Sequence, residues 1–245
     1  MSLSSISSSN TPLSSTPTSP TRTKTMQMPT PRPSFQSARI HYRAIRPTDT
    51  AIFDALVNDV VSFANTTFAN AKPPSPDEAE KFLKETAEDA LLAAILWLPH
   101  TQATLDLSPC DREQDTEIRR KQGNVVDEQF GTAIGILHLR GPGPHEQHHR
   151  TTDVCIDILP QYQGKGYGSE AIRWAMDYAF RRAGLHSMRM RAFGWNVGAI
   201  RLYEKLGFVM EGREREAVWF EGRWWDSVTL GMLEDEWRSL QVHEA

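Results

Sequence analysis

Long apolar runs and cysteines are both scarce in this chain of 245 residues. The longest apolar run covers residues 90–98, half the length that a helix needs to span a bilayer. The two cysteines, Cys110 in a polar segment and Cys155 in an apolar one, form neither a disulfide framework nor a metal-ligand spacing. We therefore expect a soluble protein from a reducing compartment, most simply the cytoplasm, with no metal and no membrane partner.

Acidic residues are absent before Asp49, and residues 1–38 consist largely of Ser, Thr and Pro. Such a segment cannot bury enough apolar surface to offset its ordering entropy, so we expect a disordered tail. A mitochondrial transit peptide is the alternative, because these are also Ser-rich and poor in acids. Against it, the first 21 residues carry no basic side chain, and Pro12, Pro17 and Pro20 would interrupt an amphipathic helix.

Acidic and basic residues are nearly balanced, with a formal net charge of −4, and the basic residues are scattered along the chain. This distribution argues against a nucleic-acid partner. Residues 39–240 are long enough to bury one core and are predicted to form one domain. Within it, residues 99–129 are polar and lack periodicity, which predicts an inserted mobile loop.

Apolar periodicity predicts alternating strands and helices that end in a hairpin. One helix is expected after Asp49, with Ile52, Phe53, Leu56, Val57 and Val60 as its apolar stripe, and another after Pro76 with Ala79, Phe82, Leu83 and Ala87 inward. A further helix is predicted over 169–182 and another over 197–206. Strands are predicted over 40–45, 91–98, 132–139, 153–159 and 187–193, followed by two strands joined by a turn at residues 220–223. The pattern predicts a mixed α/β sheet.

Residues 163–169 read Gln-Gly-Lys-Gly-Tyr-Gly-Ser and lie between a strand pattern and a helical pattern. Glycines permit close backbone approach and positive φ, and the first turn of a helix presents unpaired N–H groups. The segment is thus suited to hold a pyrophosphate. Its spacing matches neither the phosphate loop of nucleoside triphosphatases nor the dinucleotide-binding fingerprint.

A second block follows the glycine turn. Asn196 precedes residues 199–208, which read Ala-Ile-Arg-Leu-Tyr-Glu-Lys-Leu-Gly-Phe. Together the two blocks resemble the GNAT family of acetyl-CoA-dependent N-acetyltransferases, over about residues 40–237. The segment from Glu211 to Asp226 resembles the RimJ/RimL branch, which includes polyamine acetyltransferases. The resemblance implies one mostly antiparallel twisted sheet flanked by helices, with a splayed central strand pair.

The resemblance also implies where acetyl-CoA binds. Main-chain amides of the glycine turn would hold the pyrophosphate, the preceding strand would pair with the pantetheine, and Asn196 would contact it while capping its helix. The cofactor-binding residues expected on this basis are Ile156, Asp157, Ile158, Gln163, Gly164, Lys165, Gly166, Tyr167, Gly168, Ser169, Asn196 and Tyr203.

Two catalytic residues are expected from the resemblance. Tyr203 lies seven residues after Asn196, hence on the same helix face, and its phenol would protonate the departing thiolate. Asp153 aligns with a carboxylate, usually Glu, that begins this strand in the RimJ/RimL branch. It would serve as general base, directly or through water, or would form a structural salt bridge. A packed aromatic is the plain alternative for Tyr203.

The sequence does not decide between two acceptors of the acetyl group, a small primary amine or polyamine and a protein N-terminus. A CoA-binding regulatory module without turnover is a third possibility, because Asp replaces the usual Glu at position 153. The dense aromatics Trp219, Phe220, Trp224 and Trp225 would either contact an amine or pack in the sheet. The histidines at 138, 145, 148 and 149 fit no closed zinc site. A homodimer is compatible with the sequence.

Overall fold

The computed structural model describes residues 35–70, 72–88, 90–100, 113, 125–143 and 145–243. They form an α/β domain with eight strands in one sheet. The strands are β1 His41–Ala44, β2 Ala90–Leu98, β3 Val125–Asp127, β4 Gly131–Arg140, β5 Thr151–Ile158, β6 Ser187–Phe193, β7 Val209–Phe220 and β8 Arg223–Leu233. The helices are α1 Thr50–Val57, α2 Val60–Thr66, α3 Glu78–Glu88, α4 Tyr167–Met176, α5 Val197–Lys205 and α6 Glu234–His243. Short 3₁₀ turns lie at Gln147–His149 and Pro160–Tyr162, and α4 continues as a π-helix over Asp177–Arg182.

The sheet has the order β1-β2-β4-β5-β6-β8-β7, with β3 beside the start of β4. All neighbouring strands are antiparallel except β5 and β6. That parallel pair is joined only from Thr151–Ser187 to Asp153–Arg189, so the two strands separate beyond this point. The expected mixed, mostly antiparallel sheet with a splayed central pair is confirmed.

Buried side chains form one cluster on each face of the sheet. One face packs against α4 and α5 through residues such as Ile172 and Met188. The other packs against α1 and α3 through residues such as Ile52 and Ile95. The helices on each face turn an apolar stripe toward the sheet, which explains why they cover it.

Close contact between β4 and β5 depends on a glycine. A Cβ at Gly135 would lie 2.1 Å from the main-chain oxygen of Asp157, a distance that no side chain tolerates. The register of β4 shifts at this position, where Leu96 pairs with Gly135 and Trp97 with Ala133. The β4–β5 register is unbroken here, with Ile136 opposite Asp157.

Several local predictions were wrong. Val60 does not extend the α1 stripe: Asp59 caps a new helix, accepting from the main-chain N–H groups of Val61 and Ser62, and the Val60 side chain is exposed. Ala87 is exposed, while Thr86 is buried in its place. Leu91 is also exposed, so the first half of β2 is not covered on both faces.

Two elements were missed and one boundary was misplaced. β3 lies inside the segment expected to be a loop, most of which (101–112 and 114–124) lies outside the described residues. α6 follows the final hairpin without a pattern that we had identified. The expected end of the tail at residue 38 lies too far along the chain, because residues 35 and 37 already contact the domain. The main-chain oxygen of Phe35 accepts from the Tyr42 N–H at 2.9 Å, and the Ser37 hydroxyl donates to the Glu170 carboxylate at 2.6 Å. Residues 1–34 lie outside the described residues.

Candidate active site

A cavity of about 930 Å³ opens where β5 and β6 separate. Its walls come from the end of α2, the glycine turn, the start of α5 and the two strands. All the predicted site residues line it except Lys165 and Tyr167, which flank it in the same turn; the lining members are Asp153, Ile156, Asp157, Ile158, Gln163, Gly164, Gly166, Gly168, Ser169, Asn196 and Tyr203. The splay of the sheet therefore brings together residues up to 50 positions apart in the sequence.

The glycine turn has the conformation that its sequence indicates. Gly164 and Gly166 have φ of 69° and 84°, in the left-handed region that favours glycine. Gly166 is the N-cap of α4, so the main-chain N–H groups of the first helical turn are directed toward the cavity mouth. The Gln163 side chain fixes the turn to the strand, since its amide nitrogen donates to the Ile158 main-chain oxygen at 2.7 Å. The conformation of this turn is thus suited to hold an anion.

Arg39 supports this turn, a role that sequence reasoning missed. Its Nε donates to the Glu170 carboxylate at 2.7 Å, and its Nη1 donates to the Lys165 main-chain oxygen at 3.1 Å. Its guanidinium lies 4.5 Å from the Tyr167 ring centroid. Because Arg39 precedes the turn by more than 120 residues and belongs to no motif, only the tertiary structure places it there.

Another wall of the cavity is the free edge of β5. Residues 154–158 pair with β4 on one side but have no ladder partner on the β6 side among the described strands. Main-chain groups directed to that side can therefore pair with an extended ligand. Ile156, Asp157 and Ile158 lie in this stretch, as expected for the strand that would hold the pantetheine.

Helix α5 supplies one side of the cavity. Asn196 caps it, its side-chain oxygen accepting from the main-chain N–H of Ala199 at 3.1 Å. Tyr203, two turns later, is 7% exposed and packs near Phe208. Burial raises the pKa of Tyr203 well above its usual value, and the charges of Asp157 and Cys155 raise it further. The phenol therefore stays protonated and can donate a proton.

The two carboxyl groups of β5 have different surroundings. Asp153 is half-exposed and forms an ion pair with Arg189 at 3.1 Å, the salt bridge that the sequence left open as its alternative role. Asp157 is 6% exposed. Its burial raises its pKa to about 7, with a smaller lowering effect of the Thr66 hydroxyl and a raising effect of Asp59. A carboxyl group with such a pKa can exchange a proton at neutral pH.

A second, smaller cavity of about 460 Å³ lies under α1, α2 and α3. It shares four lining residues with the larger one: Thr66, Arg140, Cys155 and Asp157. Glu78 and Glu85 of α3 line it from the far side, together with Lys81. The two cavities thus meet at the wall that contains Asp157.

Of the four aromatic residues of the last hairpin, two are partly buried and two are exposed. Phe220 and Trp225 pack against Trp195, with ring centroids 4.4 and 5.7 Å away. Trp219 and Trp224 are more than half exposed and form an edge-on pair. The Trp195 indole N–H donates to the Asn65 side-chain oxygen at 2.8 Å. This hydrogen bond connects the end of α2 to the segment between β6 and α5. Sequence reasoning had not identified Trp195.

Two further properties concern only the described part of the chain. No helix there is long and apolar enough to cross a membrane. No group of three or more His, Cys, Asp or Glu side chains comes together there in a way that could hold a metal ion.

Comparison with known proteins places this site in context. Residues 89–208 match the family described as the acetyltransferase (GNAT) family. A spermidine N(1)-acetyltransferase of Vibrio cholerae is 35% identical over 113 residues, covering 46% of this chain and 64% of that protein. A putative ribosomal N-acetyltransferase of Bacillus subtilis is 28% identical over 107 residues, covering 44% of this chain and 57% of that protein. The chain thus aligns with less than two thirds of the length of either relative.

A solved structure extends the likeness to most of the fold. The crystal structure of spermidine N-acetyltransferase from Vibrio cholerae in complex with CoA and spermine has a TM-score of 0.60 at 23% identity, covering 82% of this chain and 99% of that chain. The fold and the glycine turn agree with the family match, and residues 89–208 belong to the GNAT family of acetyltransferases.

Proposed function

We propose that this protein transfers the acetyl group of acetyl-CoA to a primary amine on a small molecule, with a polyamine as the favoured class. The single observation that carries the proposal is the cavity at the splayed strands, with an anion cradle at one end and Tyr203 in its wall. A thioester bound by its pyrophosphate and pantetheine would reach the interior of the sheet there, where a neutral amine can attack it.

The residues of the cavity fit acetyl-CoA. The cradle at Gly164 and Gly166 leaves room for a phosphate, since a Cβ at Gly164 would have no atom within 4 Å. Lys165 and Arg39 add positive charge beside it. The free edge of β5 offers main-chain partners to the pantetheine. Bound acetyl-CoA would supply the thioester, and Tyr203 would supply the proton that the departing thiolate needs.

Direct transfer is favoured over a covalent acetyl-enzyme. Cys155 is the one thiol that lines the cavity among the described residues. Burial raises its pKa to about 11, so it remains a thiol at neutral pH and is a poor nucleophile. The amine would therefore attack the thioester itself, in a complex that holds both substrates.

The smaller cavity favours a compact cationic acceptor. It is lined by three carboxyl groups, those of Glu78, Glu85 and Asp157, and by two basic side chains, Lys81 and Arg140. Such carboxylates would attract an ammonium group. The name of the Vibrio cholerae relative points to the same class, whereas that of the Bacillus subtilis relative points to a protein acceptor.

The test is thiol release from acetyl-CoA by the purified full chain. Spermidine, simple monoamines and peptides with free N-termini would be compared as acceptors, with mass spectrometry of the acetylated product. We expect turnover with small amines and little with peptides. Preference for peptides would assign the alternative acceptor. Tight CoA binding without thiol release from any acceptor would support a regulatory module instead.

A further inference from the structure

We propose that Asp157 is the general base of this enzyme, taking a proton from an acceptor ammonium that enters through the smaller cavity. The inference rests on the proposed acetyl transfer and adds to it the residue that prepares the nucleophile. It replaces Asp153, the carboxylate expected from the sequence.

The position of Asp157 carries the argument. It is the one carboxylate that lines both cavities among the described residues, since Asp153 and Glu214 line only the larger and Glu78 and Glu85 only the smaller. An amine in the smaller cavity and a thioester in the larger one would therefore meet beside it. Its side chain is 6% exposed, in the wall that the two cavities share.

The other carboxylates are already engaged. Asp153 pairs with Arg189 at 3.1 Å, and this ion pair would have to break before it could accept a proton. Glu78 accepts from the Ser75 main-chain N–H at 3.1 Å, and Glu85 lies 3.9 Å from the Lys81 ammonium. Asp157 forms no ion pair within the described part of the chain, and the neighbour that lowers its pKa by a hydrogen bond is the neutral Thr66 hydroxyl, not a cation. Its carboxylate is therefore available to a cationic ligand.

His138 is the other buried group that could serve as a base. It lines only the smaller cavity, and its Nδ1 is buried without a hydrogen-bond partner in the described structure. Burial lowers its pKa to about 4, so it is neutral near pH 7 but binds a proton weakly. The remaining charged or titratable groups that influence Asp157 or line its two cavities are Asp59 at the N-cap of α2, Tyr203 on α5, Asp153 and Cys155 on β5, Arg140 on β4, Arg189 and Arg191 on β6, Glu214 on β7, and Glu78, Lys81 and Glu85 on α3.

The proton balance follows from this arrangement. Asp157 takes one of the three ammonium protons, and the free electron pair on nitrogen then forms the N–C bond to the thioester carbonyl carbon. When the tetrahedral intermediate collapses, the C–S bond breaks and sulfur takes a proton from the Tyr203 hydroxyl. A second nitrogen proton restores the phenol, and the proton held by Asp157 passes to water. The products are the amide, free CoA thiol and one proton.

The test uses Asp157→Asn in the full chain, assayed by thiol release with spermidine at saturating acetyl-CoA. We expect kcat to fall by about 10²–10⁴ at pH 7.5, while CoA affinity measured by calorimetry changes by less than threefold. Asp235→Asn, an exposed site on α6, is the matched control and should retain wild-type turnover. Asp153→Asn is the competing variant.

The pH profile separates a catalytic role from a structural one. In the wild type, kcat should fall on the acid side with an apparent pKa near 7, because the protonated carboxyl group cannot accept a proton. Asp157→Asn should lose this limb, which a mere packing change would leave in place. Near-native turnover in Asp157→Asn, or loss confined to Asp153→Asn, would overturn the assignment while acetyl transfer itself stands. If Asp157→Asn does not fold, absence of the acid limb in the wild type would overturn it equally. Failure of the wild type to release thiol would instead reject the proposed function.

Discussion

Asp157→Asn should stabilise the ligand-free protein, and more so at high pH than at low pH. Burial raises the pKa of Asp157 from 3.8 to about 7. Between these two values the folded state binds more protons than the unfolded state, so stability falls as the pH rises. The contribution of the protonated carboxyl group is thus complete below pH 3.8 and is lost by about pH 7. Asn has a similar shape and cannot ionise, so it avoids this loss.

The magnitude follows from the shift of about three pKa units, each worth about 1.36 kcal/mol. Keeping the carboxylate ionised in the folded state costs on the order of 4 kcal/mol at pH 8. At pH 5 the buried group is protonated, and the cost is only that of taking up the proton, about 1–2 kcal/mol. The difference in unfolding free energy between Asp157→Asn and wild type should therefore grow by about 2–3 kcal/mol from pH 5 to pH 8.

Urea denaturation at pH 5 and pH 8, followed by tryptophan fluorescence, measures this difference. Contributions of the substitution that do not depend on pH cancel when the two values are subtracted. Asp235→Asn should show no comparable change, since its side chain is exposed. An equal difference at both pH values for Asp157→Asn would mean that the carboxyl group ionises normally, and the electrostatic reasoning would be refuted.

Three further predictions concern the cofactor side of the site and the start of the domain. Gly166→Glu places a side chain and a negative charge in the anion cradle, at a residue with φ of 84°. Calorimetry should show CoA affinity reduced at least tenfold, about 1.4 kcal/mol, while the circular dichroism spectrum stays unchanged. Native CoA affinity in the folded variant would mean that the cradle does not bind the cofactor. Tyr203→Phe keeps the packing on Phe208 and removes only the hydroxyl. Turnover should fall by about 10²–10⁴, with little change in CoA affinity or melting temperature. Near-native turnover would mean that water, and not Tyr203, protonates the thiolate. A chain that starts at Arg39 loses the Ser37–Glu170 hydrogen bond and should be destabilised by about 1.5–3 kcal/mol. A chain that starts at Pro33 should have the melting temperature of the full chain. Equal melting temperatures of the two truncated chains would show that residues 33–38 contribute nothing to stability.

Local sequence patterns were sufficient for much of the fold. The glycine turn at 163–169 and the cap at Asn196 depend on contacts within a few residues, so their positions could be read directly. The same holds for β6, which alternates regularly over Ser187–Phe193. The break at Asp59 was missed because two apolar stripes follow each other closely, and only the capping geometry shows that they belong to separate helices.

What the sequence by itself determined is the cradle, the phenol at Tyr203 and the class of sheet, because each follows from local spacing or from the family resemblance that those spacings carry. Only the tertiary structure decided which carboxylate is buried. Asp153 and Asp157 are equivalent by strand periodicity, yet one meets Arg189 at the joined end of the β5–β6 pair and the other lies where the strands have parted. Desolvation depends on every neighbour that covers a group, here the residues of the wall between the two cavities, and no pattern along one strand contains that information.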